Sequence, residues 1–429
     1  MWGLRNGDNK NNDIRQRVGK YVKKKKIGTR AHFFAKGLLS LHNDNCCHMT
    51  GLYIHIPFCR HRCIYCAFCS TTQKEWMTDY VAALDKEMQT RSEEARKHGG
   101  ISTIYLGGGT PSTLSDILLH NIFDSISRHF LYDRLLDDVE EITLECNPDD
   151  VTPQLAAILK EIGINRVSLG VQTFNDERLR WLHRRHTAQQ VNNAVRHLKA
   201  TGIDNISIDL IYGFPQQTEA DWHKDIQQAL ALQVPHISAY CLTYEEGTPL
   251  WNSLQRGEVK ELEEEQCRTL YYQLADALTE TGYDHYEISN FALPNRRARH
   301  NTSYWQDIPY IGIGAAAHSY DKATRRWNTS DIRQYIELTL HAQTPYEEEN
   351  IDIDTHFNDL ITTTLRTTEG LPLISLEETF PQAFVDTLMK EAQPWIERGW
   401  LTTENNYLRL TRNALFVSDT VLSDLVRVS

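Results

Sequence analysis

From residue 51 the chain alternates short runs of β-branched and apolar residues with longer stretches whose apolar positions recur at helical spacing. The short runs predict strands over 52–56, 102–106, 141–145, 166–169, 205–210 and 236–241. The longer stretches predict helices over 79–97, 114–128, 153–162, 189–200, 220–232 and 258–280. Strand and helix in strict alternation describe an α/β chain, here a partial (β/α)6 TIM-like barrel. Its functional groups belong at the C-terminal ends of the strands. Past about residue 330 the texture changes. Helices are expected over 353–366, 375–378 and 381–398, then a ribbon of 401–403 and 407–410 with Asn405 and Asn406 in the turn. That is a small winged-helix-like C-terminal domain. Its Glu and Asp content favours a structural lid over a DNA reader. The expected division is a basic leader over 1–48, the barrel over 49–330 and the C-terminal domain over 331–429.

Charge sharpens the division. Residues 1–48 hold eleven Lys or Arg against three Asp, a net of +8, so the remainder carries −20 of the total −12. An acidic body argues against nucleic acid as a partner. The leader lacks hydrophobic periodicity and Met49 stands just before the first strand. The simplest expectation is an upstream start outside the native protein, ahead of a transit peptide or an anion-binding tail. No apolar run approaches the roughly 18–20 residues that span a bilayer, so an integral membrane protein is not expected. The nine cysteines are odd in number and crowd into one segment rather than forming a disulfide framework, which implies a reducing, cytoplasmic setting.

Three of them, Cys59, Cys63 and Cys66, form CxxxCxxC directly after the first strand. A short loop there can aim three thiolates at one point, as three irons of a cubane require. The fourth iron then stays open to chelate a small molecule. Arg60, His61 and Arg62 make the loop polar rather than core. Zinc competes, but it favours two ligand pairs, and no second pair exists downstream. Cys69, one turn further on, is the minority candidate for a fourth ligand. Gly107-Gly108-Gly109-Thr110-Pro111-Ser112 follows the second strand; its glycines allow close backbone approach to a ligand, and it lacks the lysine of a phosphate loop. Gly312-Ile313-Gly314-Ala315-Ala316-Ala317 satisfies GxGxxA, yet polar residues follow where a dinucleotide fold needs a helix. It reads as close backbone packing, over a cofactor adenine at most.

CxxxCxxC followed by GGGTPS on such a barrel resembles the radical S-adenosylmethionine superfamily. Tyr53–Cys59 (YIHIPFC), VQTFN at 171–175 and IDLIYGFP at 208–215 narrow the resemblance to the oxygen-independent coproporphyrinogen oxidases and their haem-chaperone relatives, over 51 to about 425. The resemblance implies a 4Fe-4S cluster on Cys59, Cys63 and Cys66, with S-adenosylmethionine on the free iron. It places Tyr53, Tyr65, Gly109, Thr110 and Glu145 in the cofactor shell. Gln172, Arg184, Asp209 and Thr243 match positions that contact a second cofactor molecule in the oxidase. His300-Asn301-Thr302-Ser303-Tyr304-Trp305 reads, from composition alone, as a loop histidine beside packing aromatics. The resemblance makes HNxxYW a haem-binding signature, with His300, Asn301, Tyr304 and Trp305 as candidates and Arg296, Arg297 and Arg299 near the propionates.

Two departures separate the readings within the family. The oxidase pattern has a fourth cysteine two residues after the third, where this chain has Phe68, and an ordered N-terminal segment where this chain has only the unpatterned leader. With HNTSYW and Thr243-Tyr244-Glu245-Glu246-Gly247-Thr248, these favour a haem chaperone over coproporphyrinogen III decarboxylation; a haem-degrading radical methyltransferase, which shares HNxxYW, ranks lower. The implied partners are haem, an apo-haem-protein acceptor of the respiratory kind, and an electron donor such as a flavodoxin or ferredoxin. Radical chemistry through a 5'-deoxyadenosyl species stays open, and oxidase turnover is not expected.

Overall fold

The computed structural model describes residues 50–132 and 134–427, so the basic leader and its expected start at Met49 lie outside the described residues. The chain divides into two units, one of residues 49–352 with 366–368, the other of 353–365 with 369 onward.

In the larger unit the six expected strands are present as β1 Thr50–Ile56, β2 Ile101–Gly108, β3 Glu141–Cys146, β4 Arg166–Gln172, β5 Asn205–Tyr212 and β6 His236–Cys241. They pair in sequence order, all parallel. Their residues alternate in character. Leu52, Ile54, Ile104, Leu106, Leu144, Val167, Leu169, Ile206, Ile208 and Ile237 are fully buried and supply the face that helices cover. The opposite face holds Tyr53, His55, Thr103, Tyr105, Thr143, Glu145, Arg166, Ser168, Ser207, Asp209, His236 and Ser238. Groups on that face feel one another across non-adjacent strands, as Tyr105 of β2 does Asp209 of β5. The sheet is therefore curled around a polar lumen.

The sheet is wider than the sequence predicted: twelve strands rather than six. β7 Asp284–Glu287 and β8 Asn290–Ala292 extend it beyond β6; β9 Tyr310–Ile313 lies parallel to β1 on its free edge, followed by β10 His318–Tyr320, β11 Thr324–Asn328 and β12 Tyr346–Asn350. These additions are three to five residues long. β11 and β12 have no apolar run to betray them, and are joined by cross-strand pairs of Arg325 with Glu349 and Arg326 with Glu348. β1 and β6 do not pair with each other, so the barrel is open.

The segment 312–317 is the end of β9 and the turn into β10. A Cβ on Gly312 would lie 2.0 Å from the His318 carbonyl oxygen, and one on Gly314 2.7 Å from that of His55. Close packing explains the glycines, and a strand rather than a helix follows. The predicted helix 79–97 is split into Met77–Thr90 and Ser92–Lys97 because Arg91 turns inward: it is buried and donates to the Gly312 carbonyl at 2.7 Å and to Ser319 Oγ at 2.9 Å. The predicted helix 258–280 is present as Glu264–Glu280, beginning six residues later than expected, and a further helix, Pro249–Gln255, capped by Thr248, precedes it.

In the smaller unit, helices Ile353–Thr364, Leu373–Thr379, Gln382–Glu397 and Ser418–Leu425 pack around Phe357, Ile361, Leu388, Leu408 and Val421. The ribbon is β14 Leu401–Glu404 with β15 Tyr407–Leu410. Asn405 and Asn406 both have positive φ (51° and 65°), the backbone a tight type I′ hairpin requires. β13, Leu371–Pro372, makes a third strand. Among the described residues no helix is long and apolar enough to cross a membrane.

Candidate active site: a cysteine loop above a polar lumen

β1 ends by delivering the chain into the cysteine loop, which is closed on itself: Thr71 N donates to the Pro57 carbonyl at 2.7 Å and Cys59 N to that of Thr71 at 2.9 Å. Cys59 Sγ lies 3.5 Å from Thr110 Oγ1, and Arg184 Nη1 is 3.6 Å from Cys63 Sγ. Burial pushes the Cys59 thiol up and that of Cys66 to about 11, and each of the two also feels Cys63. The thiols thus share one poorly solvated region, where a thiolate is costly unless iron takes its charge. Among the described residues no three His, Cys, Asp or Glu side chains converge on a single ion. Three sulfur donors on one short loop, each able to take its own iron, suit a cubane better than zinc, which favours two ligand pairs. Cys69 faces elsewhere, its Sγ donating to the Ser330 carbonyl at 3.2 Å.

The glycine triplet also packs closely against the neighbouring strand. Gly109 N donates to the Ile56 carbonyl and Thr110 N to that of Phe58, both at 2.9 Å, so the end of β2 zips against the start of the cysteine loop. A Cβ on Gly108 (φ +105°) would fall 2.2 Å from the His55 ring, and one on Gly109 2.7 Å from the Ile56 carbonyl. At both positions the side a Cβ would take is filled by protein, so only glycine lets the two segments approach this closely.

Below the loop, Glu145 accepts from Tyr105 Oη at 2.7 Å and Gly108 N at 3.0 Å. Burial pushes its carboxyl up to about 7, and the charge of Asp209 adds to that. Asp209, also raised by burial, accepts from Ser168 Oγ at 3.1 Å. Tyr53 Oη donates to His55 Nδ1 (3.0 Å), whose Nε2 donates to the Cys69 carbonyl (2.9 Å). Gln172 ends β4 in a left-handed conformation (φ 68°) after a register break. The break lets Arg184 reach Asn147 Oδ1 at 2.6 Å as well as the Gly170 carbonyl. Burial opposes the charge on Arg184, but Tyr65 and Cys63 beside it push its pKa upward. Tyr65 packs with Leu182 and Ile211; Thr243 is half-buried just past β6.

The structure therefore gathers Cys59, Cys63, Cys66, Tyr65, Thr110 and Arg184 at the loop, with Tyr53, Glu145 and Asp209 directly beneath. It adds groups that the sequence reading passed over, namely His55, Tyr105, Asn147, Arg166 and Ser168. Their signal was the polar residue at every second position of each strand. Glu145 is testable by pH. A carboxyl whose folded pKa, about 7, exceeds its ordinary 4.5 contributes fully below pH 4.5, and that stability is lost as pH rises through 7. The loss amounts to about 3 kcal/mol. In urea unfolding of cluster-free protein, Glu145→Gln is expected to gain on wild type by that order between pH 5 and 8. Parallel curves would refute the burial argument.

HNTSYW lies at the opposite end of the lumen. It is a helix, Arg299–Trp305, not the loop expected, and Glu141 at the start of β3 caps it by accepting from Arg299 N (3.0 Å) and His300 N (2.9 Å). The His300 ring is buried, with Nδ1 2.8 Å from Thr103 Oγ1 and Nε2 2.8 Å from Tyr304 Oη. Burial, with help from Arg166, lowers its pKa to about 3, so the imidazole is neutral. Asn301, Tyr304 and Trp305 are half-buried; the Trp305 indole Nε1 is buried without a hydrogen-bond partner. Arg299 pairs with Glu140, and Arg297 lies over the Tyr286 ring.

A partial parallel barrel with three cysteines on the loop after its first strand defines a radical S-adenosylmethionine protein, and the family model described as Radical SAM superfamily matches residues 53–229. The HemN C-terminal domain model matches 352–417. The solved structure of coproporphyrinogen III oxidase (HemN) from Escherichia coli superposes with a TM-score of 0.76 over 88% of this chain and 90% of that one; at 21% identity it speaks for the fold alone. Sequence goes further. The chain is 34% identical to the heme chaperone HemW of Lactococcus lactis subsp. lactis over 84% of its own length and 93% of the relative's. It is 32% identical to that of Bacillus subtilis over 87% and 98%. The chain belongs to the HemW family.

Proposed function

We propose that this chain is a haem chaperone, which binds one haem at 300–305 and passes it to an apo-haem protein, with a 4Fe-4S cluster and S-adenosylmethionine at the other end of the lumen. The observation that carries the reading is the state of His300. Iron takes a neutral imidazole, and burial keeps this one neutral. With Nδ1–H donated to Thr103, the Nε2 lone pair faces Tyr304 Oη on the same helix, so a swing of the Tyr304 side chain presents it. The unpartnered Trp305 N–H is a donor that a propionate would satisfy.

At the upper end, Cys59, Cys63 and Cys66 would hold the cluster. When bound, it supplies single electrons to the sulfonium of S-adenosylmethionine. Arg184 offsets thiolate charge beside Cys63, and Tyr53, Tyr65, Thr110, Glu145, Gln172, Asp209 and Thr243 would line the cofactor's place. Phe68, 63% exposed, stands where the oxidase pattern has its fourth cysteine, which weighs for the chaperone over the oxidase. Exposed Arg60, His61 and Arg62 on the same loop suit an acidic electron donor such as a flavodoxin or ferredoxin. The acidic body suits a cytoplasmic protein that docks on a protein acceptor rather than on nucleic acid.

Haem titration of wild type and His300→Ala, read in the Soret band, tests this. Loss of the ligand is expected to weaken binding by at least the roughly 10–100-fold that an outer-sphere partner is worth to a metal site. An unchanged band and affinity would remove His300 from the haem site, and substantial coproporphyrinogen turnover by wild type would restore the oxidase reading.

A further inference from the structure

The two ends of the lumen are joined by a stack of rings. Tyr105 lies 6.1 Å from Tyr53 and 5.3 Å from His300, with an interplanar angle of 27° in each case, and the Tyr304 ring stands edge-on to His300 at 5.2 Å. Tyr105 is the member with a hand at each end. Its hydroxyl donates to Glu145 Oε1 at 2.7 Å, its ring lies against His300, and Thr103, two residues back on the same strand, holds His300 Nδ1.

Glu145 has one oxygen for Tyr105 and the other for Gly108 N. There is little slack around this pair: a Cβ on Gly107 would lie 2.7 Å from the Tyr105 ring and 2.8 Å from Glu145 Oε1. A third group that draws on Oε1 therefore competes with the tyrosine hydroxyl for it. The same ring serves as the lid over His300, whose other side is closed by Gly51, where a Cβ would come within 3.2 Å of the imidazole.

We infer that Tyr105 is a positioning residue that couples the cofactor end of the lumen to the haem segment: engagement of Glu145 releases the Tyr105 hydroxyl, loosens the ring stack and frees His300. The coupling rests on the haem-chaperone reading for its purpose, but not for its detection. Linkage makes it reciprocal, so S-adenosylmethionine tightens haem binding by the same factor by which haem tightens the cofactor. Tyr105→Phe keeps the ring and removes the hydroxyl; it mimics the released state.

Amide hydrogen exchange over 299–305, measured on anaerobically reconstituted protein with and without S-adenosylmethionine, reads the release directly. In wild type the cofactor is expected to speed exchange about tenfold, within the usual range of coupling between sites. In Tyr105→Phe exchange is expected to be fast already and indifferent to the cofactor. Thr103→Val, which frees His300 from below without touching the Tyr105–Glu145 pair, is expected to exchange fast with or without the cofactor, and stands in if the phenylalanine variant fails to fold. A wild-type segment unmoved by the cofactor, or a cofactor response retained in Tyr105→Phe, overturns the coupling. Haem titrations of the same proteins keep the two ideas apart. If His300→Ala binds haem as wild type does, the haem site lies elsewhere and the proposed function fails at that point, whereas the exchange data still decide whether Tyr105 links the two ends.

Discussion

Cys63→Ala, reconstituted and purified without oxygen, is expected to be colourless: iron and acid-labile sulfide fall from about four of each per chain to near zero. A cluster held by three thiolates cannot lose one and keep two as a stable grip. Cys63 also sits inside the group, since Arg184 lies 3.6 Å from its sulfur and Cys59, Cys66 and Tyr65 are close enough to feel it. The control is Cys69→Ala. Its sulfur donates to the Ser330 carbonyl instead of joining the other three, so that variant should retain wild-type iron and sulfide. The opposite pattern, iron kept in Cys63→Ala and lost in Cys69→Ala, would reassign the ligands and detach the loop from the superfamily's chemistry.

The parts of this site that could be read from the sequence are those whose cause is local. CxxxCxxC after an apolar run needs only a strand and a loop. The six parallel strands announce themselves because each must bury Leu, Ile or Val under a helix. What could not be read is set by contacts distant along the chain. HNTSYW contains Asn, Thr and Ser, poor helix formers, and no local cap; it is helical because Glu141, more than 150 residues earlier, accepts its first amides. The glycine triplet was visible, but its packing was not, because the atoms it avoids belong to His55 and Ile56 on the neighbouring strand and to Pro57 just after it. β11 and β12 carry charge where strands usually carry apolar residues, since their partners are each other's side chains rather than a core.

Glu87 is the sharpest instance of a residue that local pattern hides, and its removal should cost the fold more than any other single carboxylate. It sits buried on the helix Met77–Thr90, and no neighbour in sequence marks it as different from a solvated helix acid. Its Oε1 accepts from Asn328 Nδ2 at 2.9 Å and Arg91 Nη1 at 3.3 Å; its Oε2 accepts from Gly314 N at 2.9 Å and Tyr335 Oη at 2.7 Å. Glu87→Ala leaves these four donors without that acceptor inside the protein, one of them a guanidinium only 5% exposed. Breaking a buried pair from one side costs about 3–5 kcal/mol, read as a lowered urea midpoint. Glu87→Gln keeps one acceptor but turns an amide group toward donors, and should fall between. A loss under about 1 kcal/mol, the worth of an exposed pair, would mean that water reaches the site. The damage should also travel. The Gly314–Ala315 turn that Glu87 fixes is held by Tyr80 Oη, which accepts from Ala315 N and donates to the His55 carbonyl. His55 in turn anchors Cys69 in the cysteine loop through Nε2. Glu87→Ala should therefore shed its cluster faster than wild type under chelator challenge, at a denaturant concentration where both remain folded, because the base on which the loop rests has lost its brace.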